Sequence, residues 1–377
     1  MFFLQFLQHL KEFSVIDNVG LDDTFDRINY QGNVIVLLIF MTFVTVRQYF
    51  YSPISCFVIS RIGGRNQDKY LQNMCWTEGL YPVNFSRTIP QNNKDWDDLS
   101  NQQLEYYAWV PMVLGLQAIM YLFPWLLWQF TSFWISGVNF VDIMRISRSA
   151  HLLIDDVRRK QVKNIANGLF ALMKLKTWLR TNLLFFTYLF IKLCYIITNC
   201  IQLWLIYYLL TFGRKEGYFR FGERIFSDLV NGRTWSETLI FPRSGMCRFK
   251  FENLGAVNYM FAQCSLPINM INEKIYVFLY FYIICNIILT TYSLCLWIIG
   301  FGFCKMFIHT LRNRILENSK KKTLYFEEFV NGFLKIDGTF VLKMVNSNVG
   351  SLMSEEIING IFERYVETKE EGADNDS

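Results

Sequence analysis

Charge is scarce in this chain. Asp, Glu, Lys and Arg supply 18% of its 377 residues, against about 25% in an ordinary soluble domain. The deficit is concentrated. Residues 106–134 and 275–304 contain none of the four, and 183–212 contains only Lys192. Proline (7) and glycine (21) are too few for a collagen-like or low-complexity chain. Histidine is limited to His9, His151 and His309, none with a partner at metal-ligand spacing. No HExxH, P-loop, GxSxG or CxxC string occurs, and Gly300 and Gly302 lack the strand and phosphate loop of a dinucleotide fingerprint. Acid–base, nucleophilic and metal catalysis therefore have no constellation to work with, so neither an enzyme nor a cofactor is expected. A net charge of +5 is too diffuse to read as a nucleic-acid surface.

What the chain has instead is apolar bulk: 52% hydrophobic and 18% aromatic residues. A soluble core does not need runs that are charge-poor over a whole membrane thickness, so composition predicts an integral membrane protein. Four spans are expected, at 32–51, 106–134, 183–212 and 275–304. The first is the weakest. Its apolar run, 33–46, is only 14 residues long and reaches membrane length by letting Arg47 snorkel to the headgroups.

The first residues read as an amphipathic helix and not as a cleaved signal. Phe2, Phe3, Phe6, Leu7, Leu10 and Phe13 recur at helical spacing, Gln5, Gln8, His9 and Glu12 take the opposite face, and no small-residue cleavage site follows. Such a helix lies on the membrane surface or folds into a pore with its polar face wet.

Four spans place both termini and the 135–182 loop on one side, with 52–105 and 213–274 on the other. The 135–182 loop carries nine basic and three acidic residues, which favours the cytoplasm, but 213–274 also carries nine basic residues. Cysteine placement discriminates better. Cys194, Cys200, Cys285, Cys295 and Cys304 fall in or beside spans, whereas Cys56 and Cys75 lie in one outer loop and Cys247 and Cys264 in the other. Two even pairs on one face predict disulfides in an oxidising compartment, and Asn84-Phe85-Ser86 is a glycosylation sequon on that face. Four cysteines permit three pairings, and spacing does not choose among them.

Several strings go beyond topology. Tyr106-Tyr107-Ala108-Trp109-Val110-Pro111 opens the second span, and Pro53-Ile54-Ser55-Cys56 and Cys75-Trp76 bracket the first outer loop. Phe241-Pro242-Arg243, Cys247-Arg248-Phe249 and Gln263-Cys264-Ser265-Leu266-Pro267-Ile268-Asn269-Met270-Ile271-Asn272-Glu273 bracket the second. With Asp26-Arg27-Ile28-Asn29-Tyr30 and Asp337-Gly338-Thr339-Phe340, these strings resemble the innexins, the invertebrate gap-junction channel family. The likeness runs from about residue 20 to 365. Two positions depart from the family pattern: Ala108 stands where Gln is usual, and Leu80 where Thr is common.

The resemblance implies an all-α integral membrane fold. Its subunit has four transmembrane helices and belongs to a large-pore channel, with a small disulfide-bonded extracellular domain (52–105 and 213–274) and a helical cytoplasmic domain (135–182 and 305–366). Residues 1–31 would form an amphipathic pore segment, with Gln5, Gln8, His9 and Glu12 facing the lumen, and the acidic end, 367–377, would be disordered. It further implies a plasma-membrane gap-junction protein, multi-pass, with cytoplasmic termini. Its partners would be innexin-like subunits in a homo- or hetero-octameric hemichannel, an opposing hemichannel on the adjacent cell, and membrane lipid. Cys56 would pair with Cys264 and Cys75 with Cys247. An undocked hemichannel that releases small solutes, and a non-conducting adhesion or scaffold protein, are the competing readings.

Three groups of residues carry more specific expectations. Asp17, Asp22, Asp23 and Asp26 read either as an acidic ring at a pore entrance or as helix capping with pairing to Arg27. Lys192 is too deep in its span to snorkel, so it is expected to face protein or water, at a subunit contact or in the lumen. Pro111 and Pro124 are expected to bend the second span.

Overall fold

The computed structural model describes residues 22–58, 65–81, 106–136, 140–150, 155–175, 182–211, 226–227, 230–232, 241–253, 255–315 and 325–375. Helices dominate them. In chain order they are α1 (Thr24–Tyr49), β1 (Ser55–Phe57), α2 (Arg65–Glu78), α3 (Val110–Ser136), α4 (Phe140–Ala150), α5 (Asp155–Leu175) and α6 (Leu183–Thr211). They continue with β2 (Ser244–Asn253), β3 (Ala256–Ser265), α7 (Pro267–Ile315), α8 (Lys335–Val349) and α9 (Ser351–Asn375).

Four of these helices are long and apolar enough to cross a membrane, over Thr24–Tyr49, Val110–Ser136, Leu183–Tyr208 and Pro267–Gly300. The first starts before its apolar run because Asp23 caps it. The Asp23 side chain accepts from Thr24 N at 2.7 Å while Asp26 reaches back to Asp23 N, a reciprocal capping box. The last begins at Pro267, a residue suited to a first turn because the amide it lacks would have had no partner there. Pro111 likewise falls in the first turn of α3, so of the two prolines expected to bend that span only Pro124 removes an interior hydrogen bond.

The spans leave large apolar side chains outward. Ile39, Phe43 and Val46 of α1, Phe123, Phe130 and Trp134 of α3, Phe186, Phe190 and Ile197 of α6, and Ile288, Ile298 and Ile299 of α7 are all exposed. Apolar surface on this scale is rare on a soluble monomer. It is what helices that cross a membrane present to lipid.

The chain divides into two compact units. One comprises 1–33, 121–198 and 286–377, the other 34–120 and 199–285. In the first, the core brings together Val162, Ala166, Leu169 and Phe170 of α5 with Ile357, Ile358, Ile361 and Phe362 of α9, and with Phe340, Val341 and Met344 of α8. Arg158 of α5 pairs with Glu356 of α9 at 3.1 Å. Helix α9 runs on through Glu367 to Asn375, a stretch whose acidic composition had predicted disorder. Two ion pairs anchor the start of this stretch: Arg364 to Glu367 at 2.8 Å, one turn along the same helix, and Lys369 to Glu328 at 2.6 Å, across 41 residues. In the second unit, β1, β3 and β2 form an antiparallel sheet in that order.

Candidate functional site

In the second unit, the sheet organises the four cysteines outside the spans. Cys56 on β1 lies directly opposite Cys264 on β3, and the two are disulfide-bonded with Cα atoms 4.0 Å apart. Cys75, on the last turn of α2, is bonded to Cys247 on β2 at 5.6 Å. Both bonds join the segment between the first two spans to the segment between the last two, across 208 and 172 residues. Closing loops this long removes much conformational freedom from the unfolded chain. The sulfurs of Cys56, Cys75 and Cys264 lie within 4.8 Å of one another, but each is already in a disulfide, so no thiolate is left there for a metal.

The strings at the edges of these two segments have physical reasons to be what they are. Tyr106–Ala108 form a 3-10 turn at the foot of α3. Tyr107 is buried in the sheet's core with Ile54, Leu71, Leu80, Phe249 and Leu266, and its ring lies 4.6 Å from that of Trp76. Tyr106 meets Phe241 edge-on, and Phe241 stacks on Tyr276. Val110 and Pro111 are buried as α3 begins, whereas Trp109 points outward. Leu80, the departure from Thr, is fully buried against this apolar core.

At the other edge, Leu266 N donates to Arg243 O at 2.7 Å, Asn269 Nδ2 to Pro242 O at 2.9 Å, and Arg243 reaches the buried Glu273 at 3.4 Å. The polar residues of the Leu266–Glu273 string thus pin the Phe241–Arg243 segment to the first turns of α7. A side chain at Gly245 would meet Tyr81 O at 3.1 Å and Leu80 Cβ at 3.3 Å, which is why the strand approaches the Tyr81–Met246 bridge through a glycine.

The first unit contains a buried charge network. Lys192 Nζ, inaccessible to solvent, donates to Asp26 Oδ1 and to Ser293 Oγ, each at 2.8 Å, and lies 3.6 Å from Asp23 Oδ2. Tyr188 Oη donates to Asp26 Oδ2 at 2.6 Å, and Ser293 and Trp297 both donate to Asp23 Oδ2. Nearby amides continue the seam, with Asn29 Nδ2 donating to Thr290 Oγ1 and Asn286 Nδ2 to Asn33 Oδ1. Asp22 is buried beside the Tyr30 hydroxyl, and burial, reinforced by the Asp26 charge, pushes its carboxyl up to about 7. Arg27 bonds to Asn348, whose side chain also donates to Asp22 O. Asp337 accepts from Leu184 N and Phe185 N, satisfying the first turn of α6.

These contacts correct two expectations. Lys192 is at neither a subunit contact nor the lumen: it is enclosed within its own chain by α1, α6 and α7, because an ammonium at that depth requires carboxylate and hydroxyl partners. Asp22 and Asp26 are buried, so with Asp23 as a helix cap these three acids form no exposed ring. The acids do cap α1, but their cationic partner at contact distance is Lys192, 166 residues away, and not the adjacent Arg27. Trp125 stacks on Tyr30 at 5.5 Å. Gln5, Gln8, His9, Glu12 and Asp17, and the sequon at Asn84, lie outside the described residues.

A family model described as Innexin matches residues 22–365. The chain is 28% identical over 371 residues to Innexin-11 of Caenorhabditis elegans, spanning 91% of this chain and 79% of that protein. It is 28% identical over 373 residues to Innexin unc-9 of Caenorhabditis elegans, spanning 93% of each. Against Innexin-19 of Caenorhabditis briggsae it is 27% identical over 395 residues, spanning 92% and 87%.

Proposed function

This chain belongs to the innexin family and is a gap-junction channel subunit, and we propose that eight such subunits, identical or related, form a hemichannel that docks with another on the adjacent cell. It is a multi-pass membrane protein and assembles with innexin subunits. In this reading both termini and residues 135–182 are cytoplasmic, and the disulfide-bonded sheet is extracellular and carries the docking surface. Ions and small solutes pass down their gradients with no chemical step and no cofactor. Gln5, Gln8, His9 and Glu12 line the lumen, and Asn84 is a glycan acceptor.

The observation that carries the docking part is the sheet itself. Two segments far apart in sequence are fastened by Cys56–Cys264 and Cys75–Cys247 into one element. A rigid, pre-organised surface loses little conformational freedom when it meets its partner. A wide aqueous lumen also requires many subunits, since a single four-helix bundle packs its interior.

The test is electrical. The full chain is expressed in single cells and in apposed pairs, and membrane and junctional currents are recorded. Junctional current with little single-cell current is the expected result. Single-cell current without coupling would replace docking by an undocked hemichannel, and removing Asn84 would then show whether a glycan blocks pairing. Silence in both, with surface expression and co-expressed innexin partners verified, would overturn the channel reading in favour of adhesion.

A further inference from the structure

The first unit holds a cavity of about 210 Å³ whose lining includes Ser136, Met173, Lys174, Phe333, Lys335 and Asp337. That is smaller than the roughly 300–1,000 Å³ that encloses a whole drug-sized ligand, so it suits part of a larger amphiphile. Two markers give its place along the spans. Ser136 is the last residue of the α3 span, and Asp337 bonds the amides of Leu184 and Phe185 at the start of the α6 span. The cavity therefore adjoins the ends of two membrane-crossing helices.

Its charge is unbalanced. Lys174 is exposed and Lys335 half-buried, and neither side chain has an ion-pair or hydrogen-bond partner among the described residues. The one acid in the lining, Asp337, already accepts two backbone N–H groups. Lys335 also has the sole positive φ of any non-glycine residue among those described (φ 50, ψ −151), directly after a π-helical turn at Phe329–Leu334. Glycine is the residue that relieves such a backbone, and strain held at a cation beside a cavity marks a place where the side chain is used.

We propose that this cavity receives the phosphate-bearing headgroup of an anionic phospholipid. Lys174 and Lys335 share the headgroup's charge, while Met173 and Phe333 contact its first apolar carbons. Basic pockets beside spans on the cytoplasmic side are suited to such headgroups because that leaflet holds the anionic lipids. The leaflet assignment rests on the orientation proposed above; the site itself does not.

The test uses the full-length channel in symmetric phosphatidylcholine nanodiscs, titrated with dioctanoyl phosphatidylinositol bisphosphate, dioctanoyl phosphatidylcholine, free inositol trisphosphate and inorganic phosphate. The anionic lipid should bind at least tenfold tighter than the neutral one. Lys174→Gln with Lys335→Gln should abolish that preference, and Lys174→Arg should retain it. Lys335→Gly, which relaxes the backbone and deletes the cation, should lose binding while keeping the fold. Arg159→Gln with Lys160→Gln, on the exposed face of α5, should leave the preference intact. Equal binding by the double lysine variant, or no preference for the anionic lipid, would overturn the site. Inositol trisphosphate binding as tightly as the lipid would overturn the lipid assignment in favour of a soluble polyanion. Because both faces of the disc are accessible, these outcomes are independent of orientation, which is read separately from tag accessibility in intact cells.

Discussion

Lys192 Nζ lies 2.8 Å from Asp26 Oδ1, and neither side chain is more than 2% exposed. The lysine sits on α6 and the aspartate near the start of α1, so the ion pair fastens two spans that share no sequence neighbourhood. Ser293 and Trp297 of α7 complete the attachment through Lys192 and Asp23. Little in lipid drives apolar helices together, because the tails are as apolar as the helices, and polar contacts of this kind then decide which helices meet.

Breaking one side of that pair should be worse than removing both. Lys192→Met or Asp26→Asn alone leaves a charge buried without its partner, at a cost of about 3–5 kcal/mol. The combined variant should recover most of the loss. Thermal stability of the detergent-solubilised oligomer reads this directly, and equal losses for the singles and the double would refute the coupling.

The disulfide connectivity is open to a peptide map. Digestion without reductant should yield Cys56 linked to Cys264 and Cys75 linked to Cys247, and no Cys56–Cys75 peptide. Replacing either pair by serine should cost about 2–5 kcal/mol and reduce junctional current more than surface expression.

Asp22 should make stability depend on pH. Its carboxyl is raised from 3.8 to about 7 in the folded chain by burial and by Asp26, with Arg27, the Tyr30 hydroxyl and Lys192 opposing. The folded state therefore holds a proton that the unfolded state has released between about 4 and 7. Stability should fall as pH rises through that window and level off above it. Asp22→Asn should flatten the slope and leave the chain more stable at neutral pH; an unchanged slope in thermal scans would contradict this.

Gly360 brings α9 against α5. A methyl group added there would come within 2.9 Å of Ala166 Cβ, and neither atom is the end of a flexible chain. Gly360→Ala should destabilise by about 1–3 kcal/mol through overpacking, and Ala166→Gly in the same chain should relieve it. Without relief in the double variant, the close approach would not be the cause.

Lys335→Gly should raise stability by about 1–3 kcal/mol by releasing its backbone conformation, while removing the headgroup preference. A gain in stability with binding intact would separate the strain from the lysine's proposed role.

Much of the fold was legible in the chain alone because membrane physics is local. A run of uncharged residues long enough to cross the hydrocarbon has few alternatives to a helix, so 106–134, 183–212 and 275–304 announced themselves. Disulfides were legible as an even cysteine count on one face, but their pairing depended on strand register, which puts Cys56 opposite Cys264. The true start of α1 was hidden because Asp26 and Arg27 look foreign to a span until Lys192 is seen beside Asp26. The last helical turns of α9 were hidden for a related reason. Acidic composition gives no sign that Lys369 reaches Glu328, 41 residues back.

The division follows the range of the forces. Hydropathy, capping and turn chemistry act over a few residues, so they fix where helices lie and which family strings stand at their ends. Buried ion pairs, disulfide register and the cavity at Lys174 and Lys335 depend on groups 100 residues and more apart along the chain. Only packing brings such groups within a few ångströms, where desolvation makes each partner's identity decisive.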